Sequence, residues 1–584
     1  MIKILLLIFI FSTSILADEF VKGELLVKMK SKSSSVKVKL RSGKDMSEAI
    51  EEYERNPNVE YAQPNYIYHL QSTTPNDPKF SEAWALKNSA QSITGATYST
   101  NNPGSSGKDM NLINAWDLNT NCNSIIVAVL DSGVNYNHED LSANMWDGTN
   151  CRDQNNLFLG SCNFGYDFVD SDKTPMDLNG HGTHIAGTIG AVGNNSIGGV
   201  GVCWNVKIMA VRVANVVGEL TTASVINGIN FARYNGAKVI NMSLGGTGTE
   251  DTAYKTAVTN AINDGIVVVV SAGNDGANND TTPMWPCSFN LSGIVCVAAV
   301  DQAYSLATFS NYGATSVDVG APGTNIYNST NGTWSSIQTD NFSTGWTQTP
   351  TTTVWKYVAA GSGSSCVAPS YPALLTLPNN WCADGTYANN LDQRIWKNFG
   401  STPGNYDAAK FEFEIFFDLQ KNNDYLGIAR WNVNSEPYAA SSSSLAASLS
   451  ELGTSGTATT VEYDLDPCKG QSNCSIGFIF QSNSSVVDNG VALFNFVIKG
   501  LTLSTNNYKS LNGTSMAAPH VAGLAALIRA FNPNYTVTDT VNAIINGGDS
   551  VTSLSGKTVS GKVVDAYGSL TYINTPTGVT ATVQ

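Results

Sequence analysis

The chain has 584 residues, 42% of them hydrophobic and only 14% charged, with a formal net charge of -15. That length exceeds one simple domain, and the apolar content is ample for packed cores, which excludes general disorder. An acidic balance with no basic stripe argues against nucleic acid as a partner and suits a protein that holds divalent cations.

In chain order, residues 1–17 (MIKILLLIFIFSTSILA) put one lysine before a short apolar run and end in small residues at Ala17. They predict a secretory signal peptide, with Ile15 leaving the cut point open, and no later stretch predicts a transmembrane anchor. Residues 18–71 carry nine Lys/Arg and nine Asp/Glu, unlike the acidic remainder. In them GELLVKMK and VKVKLRSG alternate as half-buried strands do, DMSEAIEEYERNP predicts a short helix stopped by Pro57, and VEYAQPNYIYHL is extended again. Residues 72–330 alternate apolar runs (SIIVAVLDSG, AKVINMSLGG, GIVVVVSAGN) with helical patterns (TASVINGINFARYNG, TAYKTAVTNAINDG). Strands apolar on both faces and separated by helices predict an α/β fold with a parallel sheet covered on each side. Residues 331–505 break that rhythm. KFEFEIFFDL, CSIGFIFQ and GVALFNFVIKGLTL predict an inserted all-β sandwich, jelly-roll-like at its edges. The α/β pattern resumes over 506–575, where AAPHVAGLAALIRAFNP predicts a helix, and 576–584 is a linker or the start of a further strand.

The ten cysteines are even in number, and export permits disulfides. Sequence closeness suggests Cys151–Cys162, Cys287–Cys296, Cys366–Cys382 and Cys468–Cys474, leaving Cys122 with Cys203. A zinc cluster is the weaker alternative, since there is no CxxC and histidine occurs only five times.

Four segments carry chemistry. VAVLDSGVN sets Asp131 at a strand end, NGHGTHIAGTIG sets His181 in a glycine-flanked turn entering a helix, VSAGN sets Asn274 past another strand, and GTSMAAPH supplies Ser515. Taken singly, Asp131 and Ser515 read as helix caps, Asn274 as a turn residue, and His184 and His520 as packing. Together they offer more. A serine hydroxyl needs a base, an imidazole needs a carboxylate to fix its tautomer, and a tetrahedral oxyanion needs a donor. The set, in the order acid, histidine, serine, resembles the subtilisin-like serine proteases, the subtilase family, over 18–330 and 506–575. The residues alone do not choose between His181 and His184; the resemblance does, because the first histidine of HGTH matches the catalytic one.

That resemblance implies a secreted serine endopeptidase made as a zymogen, with Asp131, His181 and Ser515 catalytic and Asn274 the oxyanion donor. It implies polypeptide substrates lying as an added strand along Ser243, Leu244, Gly245 and Gly246, opposite Gly218–Thr221. Residues 18–71 resemble an inhibitory propeptide with a reduced first helix, its tail cut close to Leu70. No organic cofactor is implied. Calcium is, at one or two structural sites. One matches thermitase-like loops at Asp167, Asp170, Asp172, Thr174 and Met176; the other joins Asp77 and Asp140 to Asn195, Ile197 and Gly199. The insert lies outside the resemblance; it could bind protein or glycan, with bracing of the core as the default. The competing reading is a catalytically silent subtilase fold that presents the insert for binding.

Overall fold

A computed structural model describes residues 20–41, 44–66, 72–340, 346–349, 355–358, 380–383, 392–399, 405–418, 425–431, 445–448, 459–465, 468, 472–481 and 490–572. The expected signal peptide, the Leu70 cut, the Cys366–Cys382 pair and the 576–584 tail lie outside them. The chain divides into two compact units, 1–73 and 74–584.

In the first unit, strands β1 (Phe20–Met29), β2 (Val36–Lys39) and β3 (Val59–Tyr66) form an antiparallel sheet in the order β2-β1-β3, with helix α1 (Met46–Glu54) between β2 and β3. Asp45 starts α1 by accepting from the backbone N–H groups of Ser47 and Glu48. Leu25 and Val27 of β1 close a small core with Ala49, Val59 and Ala62.

The second unit is built on one nine-stranded sheet. Its members are β4 (Ile126–Asp131), β5 (Gly165–Asp167), β6 (Lys207–Arg212), β7 (Val239–Met242), β8 (Val267–Ser271), β9 (Ile294–Val300) and β10 (Val319–Pro322), with two short strands near the C-terminus. Helices α2 (His181–Gly190), α3 (Thr222–Tyr234) and α4 (Thr252–Asn263) fall between them. The central pairings are all parallel. Alternate side chains of the same strands serve two cores. Val267 and Val269 pack on one face, and Val268 and Val270 on the other with α3 and α4. Burial on both faces explains why these strands read as unbroken apolar runs.

The insert enters and leaves through two long strands, β11 (Ile326–Asp340) and, after β12 (Ala408–Asp418) and β13 (Ser475–Gln481), β14 (Gly490–Leu511). β11 and β14 pair antiparallel from Ile326↔Leu511 to Asp340↔Phe496. The expected boundaries at 330/331 and 505/506 thus fall inside two paired strands, with a register shift between Thr330 and Gly332. Among the described residues this two-stranded ribbon is part of a six-stranded sheet, which shares with a five-stranded sheet one core containing Phe411, Phe413, Phe478 and Phe496. Helix α5 (Thr514–Phe531) follows β14 and runs beneath the main sheet. Four expected disulfides are present: Cys122–Cys203, Cys151–Cys162, Cys287–Cys296 and Cys468–Cys474.

Candidate active site

Asp131 is the last residue of β4, where parallel strands open a crevice at their carboxyl ends. Its Oδ1 accepts from His181 Nδ1 at 2.7 Å, and from the Ser132 backbone N–H at 2.8 Å. His181 is the first residue of α2, turned into place by Gly180 at φ 109°. A side chain at Gly180 would need the left-handed region and would also meet Asn331 Oδ1 at 2.7 Å from its Cβ.

One residue on this turn escaped the sequence analysis. Asp177, fully buried, accepts five hydrogen bonds: from Ser132 Oγ, from the backbone N–H groups of Asn179, Gly180 and Thr183, and from Thr183 Oγ1. It ties the histidine turn to the segment after Asp131. In the sequence it looks like one more acid of an acidic loop, and only its distance of four residues from HGTH hinted otherwise.

Three histidines compete for the role of base, and their surroundings separate them. His184 is buried, and burial pushes its pKa down to about 3; its Nε2 donates to the carbonyls of Ile326 (2.9 Å) and Lys509 (3.3 Å). Burial likewise pushes His520 down to about 4, with Nδ1 donating to the Met516 carbonyl at 2.9 Å. Both are locked neutral on carbonyls. His181 is 32% exposed. Burial of part of its surroundings opposes protonation, but the charge and hydrogen bond of Asp131 and the charge of Asp177 outweigh it and raise the pKa.

Ser515 is the one residue between 514 and 528 on α5 that is not buried. Its Oγ donates to the Ser243 carbonyl at 3.2 Å, and no hydrogen bond joins it to His181 in this structure. The carbonyl of Ser515 would ordinarily take the N–H four residues on, but that residue is Pro519, which has none. Ser243 Oγ donates to it instead, at 3.0 Å. Pro519 is the sixth residue of α5, past its first turn, and the Ser243 hydroxyl gives the Ser515 carbonyl the partner that Pro519 cannot.

Asn274 follows β8. Its Oδ1 accepts from Thr514 N (2.8 Å) and Thr514 Oγ1 (2.9 Å), which leaves its amide NH2 as the free end. A Cβ built on Gly513 would stand 3.5 Å from Ser515 N and 3.6 Å from Asn274 Nδ2. Two N–H donors therefore flank the space that the glycine leaves open. Asp131, Asn179 and His181 share a cavity of about 310 Å³ with Ser243, Leu244 and Gly245 on one wall and Val217, Gly218 and Leu220 on the other. Gly246 sits one step on, paired with Trp285.

The family model described as the subtilase family (peptidase S8) matches residues 123–377 and 472–565. The chain belongs to the subtilase family. The match runs into the insert from both ends, and a second model, the fervidolysin N-terminal prodomain, matches residues 36–65. Among curated relatives of this subtilase, the thermophilic serine proteinase of Bacillus sp. (strain AK1) is 39% identical over 277 residues, 47% of this chain and 58% of the relative. Thermitase of Thermoactinomyces vulgaris is 42% identical over 213 residues, 36% of this chain and 67% of thermitase. The extracellular protease of Xanthomonas campestris pv. campestris is 34% identical over 299 residues, 47% of each chain. The subtilase thus spans between about half and two thirds of these relatives. A solved structure titled as proteases from Pseudoalteromonas arctica PAMC 21717 aligns over 85% of this chain and 99% of its own, at 23% identity and a TM-score of 0.43.

The expected cation residues differ in fit. At the first site, Asp77 accepts from the backbone N–H groups of Asn194 and Asn195, and Asp140 from Asn195 Nδ2 and Gly199 N. Both acids are buried, no salt bridge among the described residues reaches either, and burial pushes Asp140 up to about 7, with the charge of Asp77 adding to the shift. Ile197 closes the same loop by donating its N–H to Asn195 Oδ1. Two buried carboxylates beside amide and carbonyl oxygens suit a hard cation. The second loop fits less well. Arg212 Nη1 already donates to Asp167 Oδ2 (2.7 Å) and Asp170 Oδ2 (2.6 Å), and Asp172 Oδ1 is held by Thr174 N and Oγ1. Thr174 also gives its carbonyl to Met176 N. Among the described residues no three His, Cys, Asp or Glu side chains converge, so any site depends on amide and carbonyl oxygens as well.

Proposed function

We propose that the chain is a secreted serine endopeptidase made as a zymogen, and that it hydrolyses peptide bonds through an acyl-enzyme on Ser515. The observation that carries this is the Asp131–His181 bond at 2.7 Å in the same cleft as Ser243, whose carbonyl holds Ser515 Oγ. The mechanism needs the Ser515 hydroxyl to leave that carbonyl and turn toward His181, and hydrogen bonds between nucleophile and base commonly tighten only with substrate present. The oxygen then attacks the scissile carbonyl while His181 Nε2 takes its proton. Asp131 keeps the Nδ1 proton in place and stabilises the imidazolium. The oxyanion is held by Ser515 N–H and Asn274 Nδ2. His181 gives its proton to the leaving amine, the C–N bond breaks, and water repeats the sequence in reverse on the ester.

The substrate backbone pairs with Ser243–Gly246 and Gly218–Thr221, which favours extended polypeptide with little regard to sequence. Residues 18–71 act as the inhibitory propeptide, as the prodomain match over 36–65 supports. No helix among the described residues is long and apolar enough to cross a membrane, in keeping with an extracellular or periplasmic enzyme. The test is casein hydrolysis by the purified protein with and without a serine-directed fluorophosphonate. Hydrolysis abolished in step with covalent labelling is expected; folded, mature protein that neither labels nor cleaves would support the silent binding fold.

Calcium would be held by Asp77, Asp140, Asn195 and carbonyls of the 195–199 loop, and when bound it would neutralise the two buried acids. Excess chelator should then lower the melting temperature by several degrees, since a ligand bound only to the folded state stabilises it by mass action. An unchanged melting temperature in chelator counts against the site.

A further inference from the structure

The insert does not merely hang from the catalytic core. The buried ends of its ribbon are woven into the two segments that flank His181. Asn331 Nδ2 donates to the Asp177 carbonyl at 3.0 Å, and Asn135 Nδ2 donates to the Ser504 carbonyl at 2.8 Å. Ser329, Thr330 and Asn331 are all buried. Farther along the ribbon, Trp334, Ala408 and Leu501 of the insert form one apolar cluster with Leu178, Val216 and Val217 of the core. Leu178 lies three residues before the catalytic histidine. Val217 lines the cleft opposite Ser243–Gly245. Asn179 links the two, donating from Nδ2 to the Val216 carbonyl at 2.9 Å and accepting from His181 N at 3.3 Å. Trp334 is itself held from the insert side, with Lys410 Nζ 4.8 Å from its ring centre and Lys410 paired to Glu412 and Glu462.

We propose that the β insert is a specificity element of the protease: through Trp334 and Leu501 it backs the Val216–Val217 wall and so fixes the pocket for the substrate side chain lying beside His181. The physical reason is that 216–219 is a loop, not a strand. Val217 both lines the cleft and packs against the insert's apolar cluster, so the loop is braced by what is packed behind it. Val216 is 1% exposed, and it shares its cluster with Trp334, Ala408, Leu501 and Leu503 of the insert. An apolar wall held at fixed distance from the imidazole favours a small or medium apolar side chain at that one substrate position. A wall released from its backing accepts larger and more polar ones. Leu503 joins the same cluster and offers a milder lesion than the tryptophan.

This inference rests on the protease reading, and the experiment separates the two. Wild type, Trp334→Ala, Trp334→Phe and Leu503→Ala are each titrated with a fluorophosphonate to count active sites, then profiled on a library of extended peptides and on a small activated ester that does not reach Val217. The alanine variants are expected to raise KM on extended peptides about ten-fold, to broaden preference at the one position beside His181, and to change turnover of the ester by less than about two-fold. Trp334→Phe should restore most of the preference. Leu503→Ala decides the matter if Trp334→Ala does not fold. Folded variants that titrate fully and keep the wild-type profile at every position overturn the inference while leaving the protease standing. A folded, mature wild type that neither titrates nor cleaves overturns both.

Discussion

Ser515→Ala is expected to lower kcat/KM on peptide substrates by about ten-thousand-fold or more, with the fold intact. The lesion is small in packing terms. Ser515 is the one residue in its stretch of α5 not fully buried, and the substitution removes a single oxygen whose present partner is the Ser243 carbonyl. One neutral hydrogen bond is worth about 1 kcal/mol, so the melting temperature should fall only slightly. The chemical loss is of another order, because the proposed acyl-enzyme forms on the Ser515 oxygen and alanine has no nucleophile to offer. The variant should also accumulate with residues 18–71 still attached, if the propeptide is cut by the enzyme's own serine. A variant that kept even a tenth of wild-type activity would remove Ser515 from the mechanism. The pH profile adds a check on its partner. The base works only when neutral, so activity is lost as pH falls through the His181 pKa. Asp131 and Asp177 raise that pKa, so the acid limb of kcat/KM should lie above the ordinary imidazole value of about 6.5. His184 and His520, pushed down to about 3 and 4, would put it far lower.

The parts of this site legible in the sequence were those in which one local pattern carries both structure and chemistry. VAVLD is a buried parallel strand ending in an acid, and HGTH is a glycine turn ending in a helix; periodicity and residue type agree at both. What stayed hidden depends on pairings far apart in the chain. Ile326 pairs with Leu511, and β11 and β14 stay paired, with a register shift between Thr330 and Gly332, across a change of composition that looks like a domain boundary. Arg212 sits at the end of an apolar strand, and nothing near it in sequence says that it will reach Asp167 and Asp170, the acids that looked free to take a cation. The sequence put Ser243 forward as candidate substrate-binding backbone, but its hydroxyl's service to the Ser515 carbonyl appears only once Pro519 is seen four residues after Ser515 in the helix beside it. Tyr508 is a similar case. Its hydroxyl donates to Glu139 and approaches Asp140 from the insert's return strand, placing the insert beside the candidate cation loop as well as beside the histidine.

Asn274→Ala should reduce kcat by about 100- to 1000-fold and move KM little, the size being that of oxyanion-donor loss in subtilisin, carried over to this relative. The residue has two ends with different duties. Its carbonyl oxygen holds Thr514 through N–H and hydroxyl, and Thr514 Oγ1 in turn accepts from Gly273 N at 3.1 Å. Its NH2 end faces the space beside Gly513. Alanine removes both duties at once, so a loss of activity could follow from a disturbed start of α5 alone. Asn274→Asp separates them. A carboxylate still accepts from Thr514 N and Oγ1, so the helix start is preserved, but its other oxygen brings negative charge to the place where the oxyanion forms. If the amide acts on the transition state, aspartate should be at least as damaging as alanine in kcat while nearer to wild type in melting temperature. If Asn274 served only to hold Thr514, aspartate would restore most of the activity that alanine loses, and the donor role would pass to some other group.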